Sequence, residues 1–312
     1  MERKNTTITI FGGSGFIGSY VVQELAKTGA YIKVASRYPE RSSFLKTAGN
    51  IGQIYLQVVD VNDPGSVKEA IRNSDIVIDM VGILFEKGKR TFQKINKDVA
   101  INIAAICKEQ NIKQFIYFSA LNVNHAHQSE YACSKYQAEQ GIKKVFPNAI
   151  IVRPSVVFGA DDNFFNFFAK FISMFHFLPL IDDGHTKFQP VYVGDVAKAI
   201  AKIIKSGDLY QGGIFELAGK NIYSYKELMK FLIKTINKKA IMISIPSFIA
   251  HYMSFFMEFL PQPLLTRDQV KLLKYDNVIH KDDKLMYLST LGIVPKALEQ
   301  IVPLYLRCYK KA

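Results

Sequence analysis

The sequence predicts an α/β protein, a doubly wound parallel sheet with a smaller C-terminal α/β lobe. Three observations predict it. Short apolar runs alternate with helical patterns through the first half of the chain, a glycine-rich turn joins the first run to the first helix, and the alternation weakens after about Pro154, where aromatic-rich helices mix with short strands. Such alternation implies parallel strands covered on both faces. Residues 1–153 are therefore expected to form a nucleotide-binding domain, and residues 154–312 a C-terminal lobe on the substrate or partner side, with the chain crossing back to the core.

Thr7 to Phe11 is the first strand, closed by Gly12 and Gly13, and the helical pattern from Phe16 to Lys27 stops at Gly29, a C-cap signal. Tyr31 to Ser36, Ile54 to Val59, Ile76 to Val81 and Gln114 to Ser119 read as the next four strands. Asp63-Pro64 supplies an N-cap and a proline at the first helical position for Ser66 to Arg72, and Asn96 to Glu109 carries apolar residues at helical spacing. Tyr131 to Val145 is a further helix and Ala149 to Arg153 a sixth strand. Beyond these, Phe164 to Ile181 and Ser247 to Leu260 read as partly buried helices and Ile214 to Ala218 as a strand. Ser224-x-x-Glu227 and Thr266-x-x-Gln269 fit the capping box, so helices are expected to start there.

Composition narrows the partners. With 312 residues, 49% hydrophobic and 21% charged, the chain is long and apolar enough for a substantial core. No stretch reaches the roughly 20 uninterrupted apolar residues of a bilayer span, so no transmembrane segment is expected. Lys plus Arg exceed Asp plus Glu by 40 − 27 = 13, which favours an anionic partner. The basic residues are dispersed, without an arginine-rich run or a nucleic-acid-binding motif, which argues against nucleic acid. Cys107, Cys133 and Cys308 are too few and too scattered for a disulfide framework or a zinc site, and His125 and His127 have no ligand cluster near them, so no metal is expected. Only Met1 to Thr6 precede the first strand, too short a stretch for targeting, so the expected location is cytoplasmic, or peripheral on the cytoplasmic face of the inner membrane.

The turn Gly12-Gly13-Ser14-Gly15-Phe16-Ile17-Gly18 satisfies Gly-x-x-Gly-x-x-Gly and, from Gly13, Gly-x-Gly-x-x-Gly. Alone the pattern is weak; between a strand and a helix it is the phosphate turn of a Rossmann fold, where bare backbone N–H groups and the positive helix end meet a pyrophosphate. Gly12, Gly15, Phe16, Ile17 and Gly18 are the expected contacts. The bland alternative is a structural turn without ligand. An acid at the end of the second strand would select NAD(H), but Ser36-Arg37 stands there, with Arg41 a turn later, and guanidinium groups favour the extra phosphate of NADP(H). The bland alternative for Arg37 and Arg41 is a solvated surface arginine, and the phosphate role is the favoured reading. Asp60, with Val61 beside it, ends the third strand and is placed to meet the adenine amino group or to cap its own turn.

Tyr131 and Lys135 stand at i and i+4, on one helix face. A cation there favours the phenolate, lowering a pKa that starts near ~10 towards the range useful for proton transfer. The same pair occurs often by chance as a surface tyrosine beside a solvated lysine; downstream of a dinucleotide turn it becomes a joint signal.

Together with Arg153-Pro154-Ser155-Val156-Val157-Phe158-Gly159 and Gln189-Pro190-Val191-Tyr192-Val193-Gly194-Asp195-Val196, these motifs resemble the extended branch of the short-chain dehydrogenase/reductase superfamily, the NAD-dependent epimerase/dehydratase-like proteins. Phe164-Phe165-Asn166, Leu178-Pro179-Leu180-Ile181 and Leu264-Leu265-Thr266-Arg267-Asp268-Gln269-Val270 resemble one atypical subgroup, the accessory nucleotide-binding subunits (alpha subcomplex subunit nine) of respiratory complex I, NADH:ubiquinone oxidoreductase. The resemblance implies that Tyr131 is the general acid or base, that Lys135 holds the nicotinamide ribose, and that Asn96 supports the site. It also implies a Ser or Thr after the fifth strand, where this chain has Ala120; Ser119, Asn122 and Ser129 are the neighbouring candidates to replace it. The subgroup implies bound NADP(H) in a structural or redox-sensing role, with complex I subunits or an anionic membrane surface as partners. The alternative is an NADPH-dependent reductase or a sugar-nucleotide epimerase or dehydratase using Tyr131 and Lys135.

Overall fold

A computed structural model describes residues 6–261 and 263–310. The strands are β1 (Thr7–Phe11), β2 (Tyr31–Ser36), β3 (Ile54–Val58), β4 (Ile76–Asp79), β5 (Gln114–Phe118), β6 (Ile150–Pro154), β7 (Val157–Phe158), β8 (Phe177–Ile181), β9 (Lys187–Phe188), β10 (Val191–Tyr192), β11 (Ile214–Leu217), β12 (Tyr223–Ser224) and β13 (Ile241–Ile245). The helices are α1 (Phe16–Ala26), α2 (Pro64–Ile71), α3 (Val99–Glu109), α4 (Glu130–Val145), α5 (Phe165–Phe175), α6 (Val193–Lys205), α7 (Tyr225–Ile236), α8 (Ser247–Met257), α9 (Arg267–Leu272) and α10 (Leu298–Tyr305). Seven strands form one sheet in the order β11-β6-β5-β4-β1-β2-β3, and every pairing in it is parallel.

The order reverses between β1 and β4, the switch point of a doubly wound sheet, and side chains alternate along each central strand. Ile8, Ile10, Ile78, Ile116 and Val152 enter one core with Val21, Val22 and Leu25 of α1 and Ile200 and Ile203 of α6. Phe11, Val77, Phe115, Tyr117 and Ile151 enter the other, with Val67 of α2, Ile103 of α3 and Ile142 of α4. β4, β5 and β6 are buried throughout, as expected of strands covered on both faces.

β11 comes from the second half of the chain and completes the sheet beside β6. Arg153 of β6 donates through Nε and Nη2 to Glu139 of α4 at 2.9 and 2.6 Å and through Nη1 to Glu216 of β11 at 3.3 Å, a buried triad across that edge. The remaining strands make three pairs, β7 with β10, β9 with β12 and β8 with β13. α5, α7 and α10 pack a separate core around Phe158, Phe165, Leu228, Leu232 and Val302.

Both capping boxes are present, at Ser224 and Thr266, and Asp63 caps α2 through Gly65 N and Ser66 N. Two expectations are corrected. Phe164 to Ile181 is not one helix: His176 turns left-handed at φ 57° and accordingly ends α5, and Phe177–Ile181 then pairs with β13. The helix expected from Asn96 begins earlier as a π turn over Gln93–Asp98, where Asn96 Oδ1 accepts from Ile83 N at 2.9 Å and its Nδ2 donates to Ile83 O at 3.2 Å.

Candidate nucleotide-binding site

The glycine turn leaves β1 with Gly12 at φ 76°, and a Cβ there would lie 2.9 Å from the carbonyl of Met80. Gly18 is the tightest point, since a Cβ would sit 2.3 Å from Gly12 O and 2.6 Å from Gly13 Cα. Gly12 is demanded by its positive φ and the backbone that follows β4, and Gly18 by the close approach of α1 to the turn. Gly15 is different. A Cβ there would meet Gly12 O at 3.3 Å and no other atom within 4 Å, a far milder demand for glycine than at Gly18. Gly15 is also the N-cap of α1, without a side-chain cap and without an acidic residue in the first turn, which leaves the helix end bare for an anion. Phe16 and Ile17 open the helix, with the Phe16 ring edge-on to Tyr20.

Beyond β2, Arg37 and Arg41 are exposed, and their guanidinium groups lie 5.8 and 4.7 Å from the Tyr38 ring. Among the described residues neither makes an ion pair. Asp60 Oδ1 accepts from Asn62 N at 3.0 Å and Asn62 Nδ2 at 2.8 Å, bonds that hold its carboxyl below the usual range, with Arg37 adding to them. The turn-capping role of Asp60 is thus occupied within the protein itself. Val61 beside it is half-buried against the core under α2.

On α4, Lys135 is almost completely buried. Its Nζ donates to Phe118 O at 2.9 Å and Val81 O at 3.4 Å and stands 4.8 Å from the Tyr117 ring. Burial pushes its pKa down to about 8, against the pull of Asp79 and Glu139. Tyr131 packs edge-on against Phe92 at 5.9 Å. The expectation that Lys135 lowers the Tyr131 phenol fails: burial first, and Asp268 second, push it up to about 12. The phenol is buried and a carboxylate stands at the helix start, while the lysine is committed to backbone carbonyls.

Ala120 follows β5 in the place of the hydroxyl residue. Asn122 is spent on Asp276 O and Val278 O at 2.8 and 2.9 Å, and Ser129 on capping α4. Ser119 Oγ is buried and has no hydrogen-bond partner among the described residues. His125 is exposed, with Nε2 3.0 Å from Asn124 Nδ2, and His127 lends its carbonyl to Cys133.

Two residues escaped the sequence reading. Asp79, at the end of β4, is fully buried. Its Oδ1 accepts from Val81 N at 2.9 Å while Oδ2 has no hydrogen-bond partner among the described residues, and burial raises its pKa to about 6 in spite of Lys135. A carboxylate inside an apolar strand was visible as an anomaly in Ile76 to Val81. Asp268 lies far along the chain, and nothing local linked it to the site.

A parallel doubly wound sheet, a glycine cradle at its first crossover and a Tyr-x-x-x-Lys helix define a nucleotide-binding Rossmann protein of the epimerase and reductase type. The chain belongs to the NAD dependent epimerase/dehydratase family, whose profile matches residues 8–218. It is 32% identical over 97% of its length to the mitochondrial NADH dehydrogenase [ubiquinone] 1 alpha subcomplex subunit 9 of Arabidopsis thaliana, covering 78% of that protein. The Rattus norvegicus subunit 9 is likewise 32% identical, over 93% of this chain and 77% of its own. Among solved structures, the NADPH-dependent quinone oxidoreductase QOR2 of Escherichia coli, complexed with NADPH, shares the fold at a TM-score of 0.74 with 20% identity, covering 96% of this chain and 99% of that one. The cytoplasmic location expected from the sequence is overturned by these relatives, both mitochondrial proteins. The stretch before β1 is no guide to compartment. Among the described residues no helix is long and apolar enough to cross a membrane.

Proposed function

We propose that the protein holds NADP(H) as a resident group, in a structural or redox-sensing role within a respiratory assembly of the complex I type. The observation that carries the reading is the pairing of a bare α1 start with two exposed guanidinium groups beyond β2 that make no ion pair among the described residues. The residues fit a dinucleotide: the open side of Gly15 leaves room for a pyrophosphate, and Arg37 and Arg41 match a 2′-phosphate. When bound, the nicotinamide group supplies hydride chemistry. Gly12, Gly15, Phe16, Ile17 and Gly18 would hold the pyrophosphate, Asp60 and Val61 the adenine end, and Lys135 the ribose of the nicotinamide, with Tyr131 one turn before it on α4 as the acid/base group of the site.

The same site argues for retention over turnover. A phenol at about 12 is a weak acid at neutral pH, and Ala120 brings no hydroxyl to polarise a substrate carbonyl. The kinship with subunit 9 proteins supports complex I subunits as partners. For an anionic membrane surface, support comes from α8 and the turn after it, which expose Phe248, Tyr252, Phe256 and Phe259 on a protein of net charge +13.

Calorimetry with NADPH and NADH tests the cofactor. NADPH is expected to bind more tightly, and the Arg37→Glu, Arg41→Glu double variant to weaken NADPH by roughly 10- to 100-fold while leaving NADH nearly unchanged. Tighter binding of NADH, or heat with neither nucleotide, would refute the assignment.

A further inference from the structure

The first turn of α4 is capped from a distance. Asp268 of α9 accepts through Oδ2 from Ser129 Oγ at 2.7 Å and from Tyr131 N at 3.1 Å, and through Oδ1 from Glu130 N at 2.7 Å. Ser129, fully buried, meanwhile accepts from Ala132 N at 3.1 Å. The first three N–H groups of α4 are thus satisfied by side chains, whereas α1 has none satisfied in this way. Ser129 alone would serve as an N-cap. The added carboxylate brings a full negative charge to the helix start that carries Tyr131.

α9 is itself held in place. Thr266 and Gln269 close its capping box, and Arg267 donates to Glu258 Oε2, just beyond α8, from Nε at 2.9 Å and lies 2.8 Å from it through Nη2. Leu272 and Tyr275 pack beside Val123, Ala126 and Ala132. We propose that Asp268 is a positioning residue of the nucleotide site: delivered by the C-terminal half of the chain, its carboxylate clamps the first turn of α4 and sets where the Tyr131 side chain stands. The proposal rests on the reading of Tyr131 as part of that site. It places the exposed aromatic face of α8 two polar contacts from Tyr131, through Glu258–Arg267 and Asp268. The other titratable groups around Tyr131 are Tyr117 of β5, Lys135 one turn along α4, and Glu130, which faces Arg267.

The test uses the full chain as Asp268→Asn and Asp268→Ala, with tyrosine ring carbons labelled for NMR and Tyr131 assigned by its loss in Tyr131→Phe. Asp268→Asn, which keeps an amide oxygen as acceptor, is expected to lower the Tyr131 titration by about one unit and to hold most of the NADPH affinity. Asp268→Ala is expected to lose roughly tenfold in affinity. An unmoved Tyr131 titration in Asp268→Asn overturns the proposal, and so does lost affinity without any change at Tyr131, the behaviour of a merely structural cap. Should Asp268→Ala not fold, the asparagine variant decides alone. Wild-type protein that binds no NADPH would sink the functional reading, while the Tyr131 resonance still reports on the clamp.

Discussion

Gly18→Ala and Gly15→Ala separate packing from ligand binding within one turn. An alanine Cβ at 18 would lie 2.3 Å from Gly12 O and 2.6 Å from Gly13 Cα, both backbone atoms, so relief requires α1 to move away from β1. Ordinary carbon–oxygen contact begins about 1 Å further out, and overpacking of this kind costs about 1–3 kcal/mol. For a chain of this size that is a fall in Tm of roughly 2–5 °C. At Gly15 a Cβ meets one carbonyl oxygen at 3.3 Å and otherwise open space, and the residue is an N-cap with extended φ/ψ of −77° and 177°, which alanine adopts freely. Its stability is expected to fall by no more than about 1 kcal/mol, the usual cost of losing a favourable N-cap. NADPH affinity, in contrast, is expected to drop at least tenfold, because the methyl group occupies the approach of the pyrophosphate. Differential scanning calorimetry gives the first quantity and isothermal titration the second. A Gly18→Ala protein that melts with the wild type would refute the tight crossover, and a Gly15→Ala protein with unchanged affinity would remove the turn from the nucleotide site.

Burial raises Asp79 from 3.8 to about 6, so between those values the native state keeps a proton that the unfolded chain has lost, and stability falls as pH rises through that window. Asp79→Asn is expected to abolish this segment of the pH–stability curve, up to about 3 kcal/mol across it, in urea melts at pH 4.5 and 7; an unaltered slope would count against the buried ionisable carboxyl. For Tyr131, raised to about 12, the native phenol stays protonated while the unfolded one ionises, so stability is lost as pH rises from 10 to 12, and Tyr131→Phe should flatten that limb in melts at pH 9 and 11. Phe256→Ser with Phe259→Ser, at positions 71% and 76% exposed, should leave Tm within about 2 °C yet reduce sedimentation with anionic liposomes, and equal sedimentation would exclude α8 as the lipid-facing surface.

The elements that carry the proposed cofactor site were legible because their signals are local. A glycine turn between strand and helix, an arginine after β2 and an i, i+4 tyrosine–lysine pair each sit within one element and its neighbour. The strands β1 to β6 were readable for the same reason. What could not be read depends on contacts between distant segments. Asp268 reaches Tyr131 across 137 residues, and the burial that reverses the expected direction of the Tyr131 pKa comes from packing against Phe92 and the core it belongs to, with Asp268 adding to it. The split of Phe164 to Ile181 into helix and strand turns on one left-handed residue, His176, and on a partner strand, β13, that lies beyond it in sequence. Apolar periodicity in Phe-rich sequence does not distinguish the two until the partner is known.

The sheet edge at β6 shows how the two halves of the chain depend on each other. Arg153 is 5% exposed and bonds Glu139 from the first half and Glu216 from the second, and both carboxylates are as deeply buried as the guanidinium. Removing the guanidinium alone leaves two buried acids without their hydrogen-bonded counter-charge, in a site where their ionised forms are poorly solvated. Arg153→Met is therefore expected to cost about 3–5 kcal/mol, more than a methionine of similar length would lose through packing. Replacing the triad as a unit, with Glu139→Met and Glu216→Leu added, removes those unpaired charges and should restore most of the loss, since apolar residues fill such a site about as well as ions do. Urea denaturation of the single and triple variants measures both numbers. A triple variant no more stable than Arg153→Met would mean that the triad acts through the β6–β11 register and not through charge. By the same logic a fragment of residues 1–153, which keeps Arg153 and Glu139 but lacks β11 and Glu216, should not fold cooperatively, however complete its nucleotide turn.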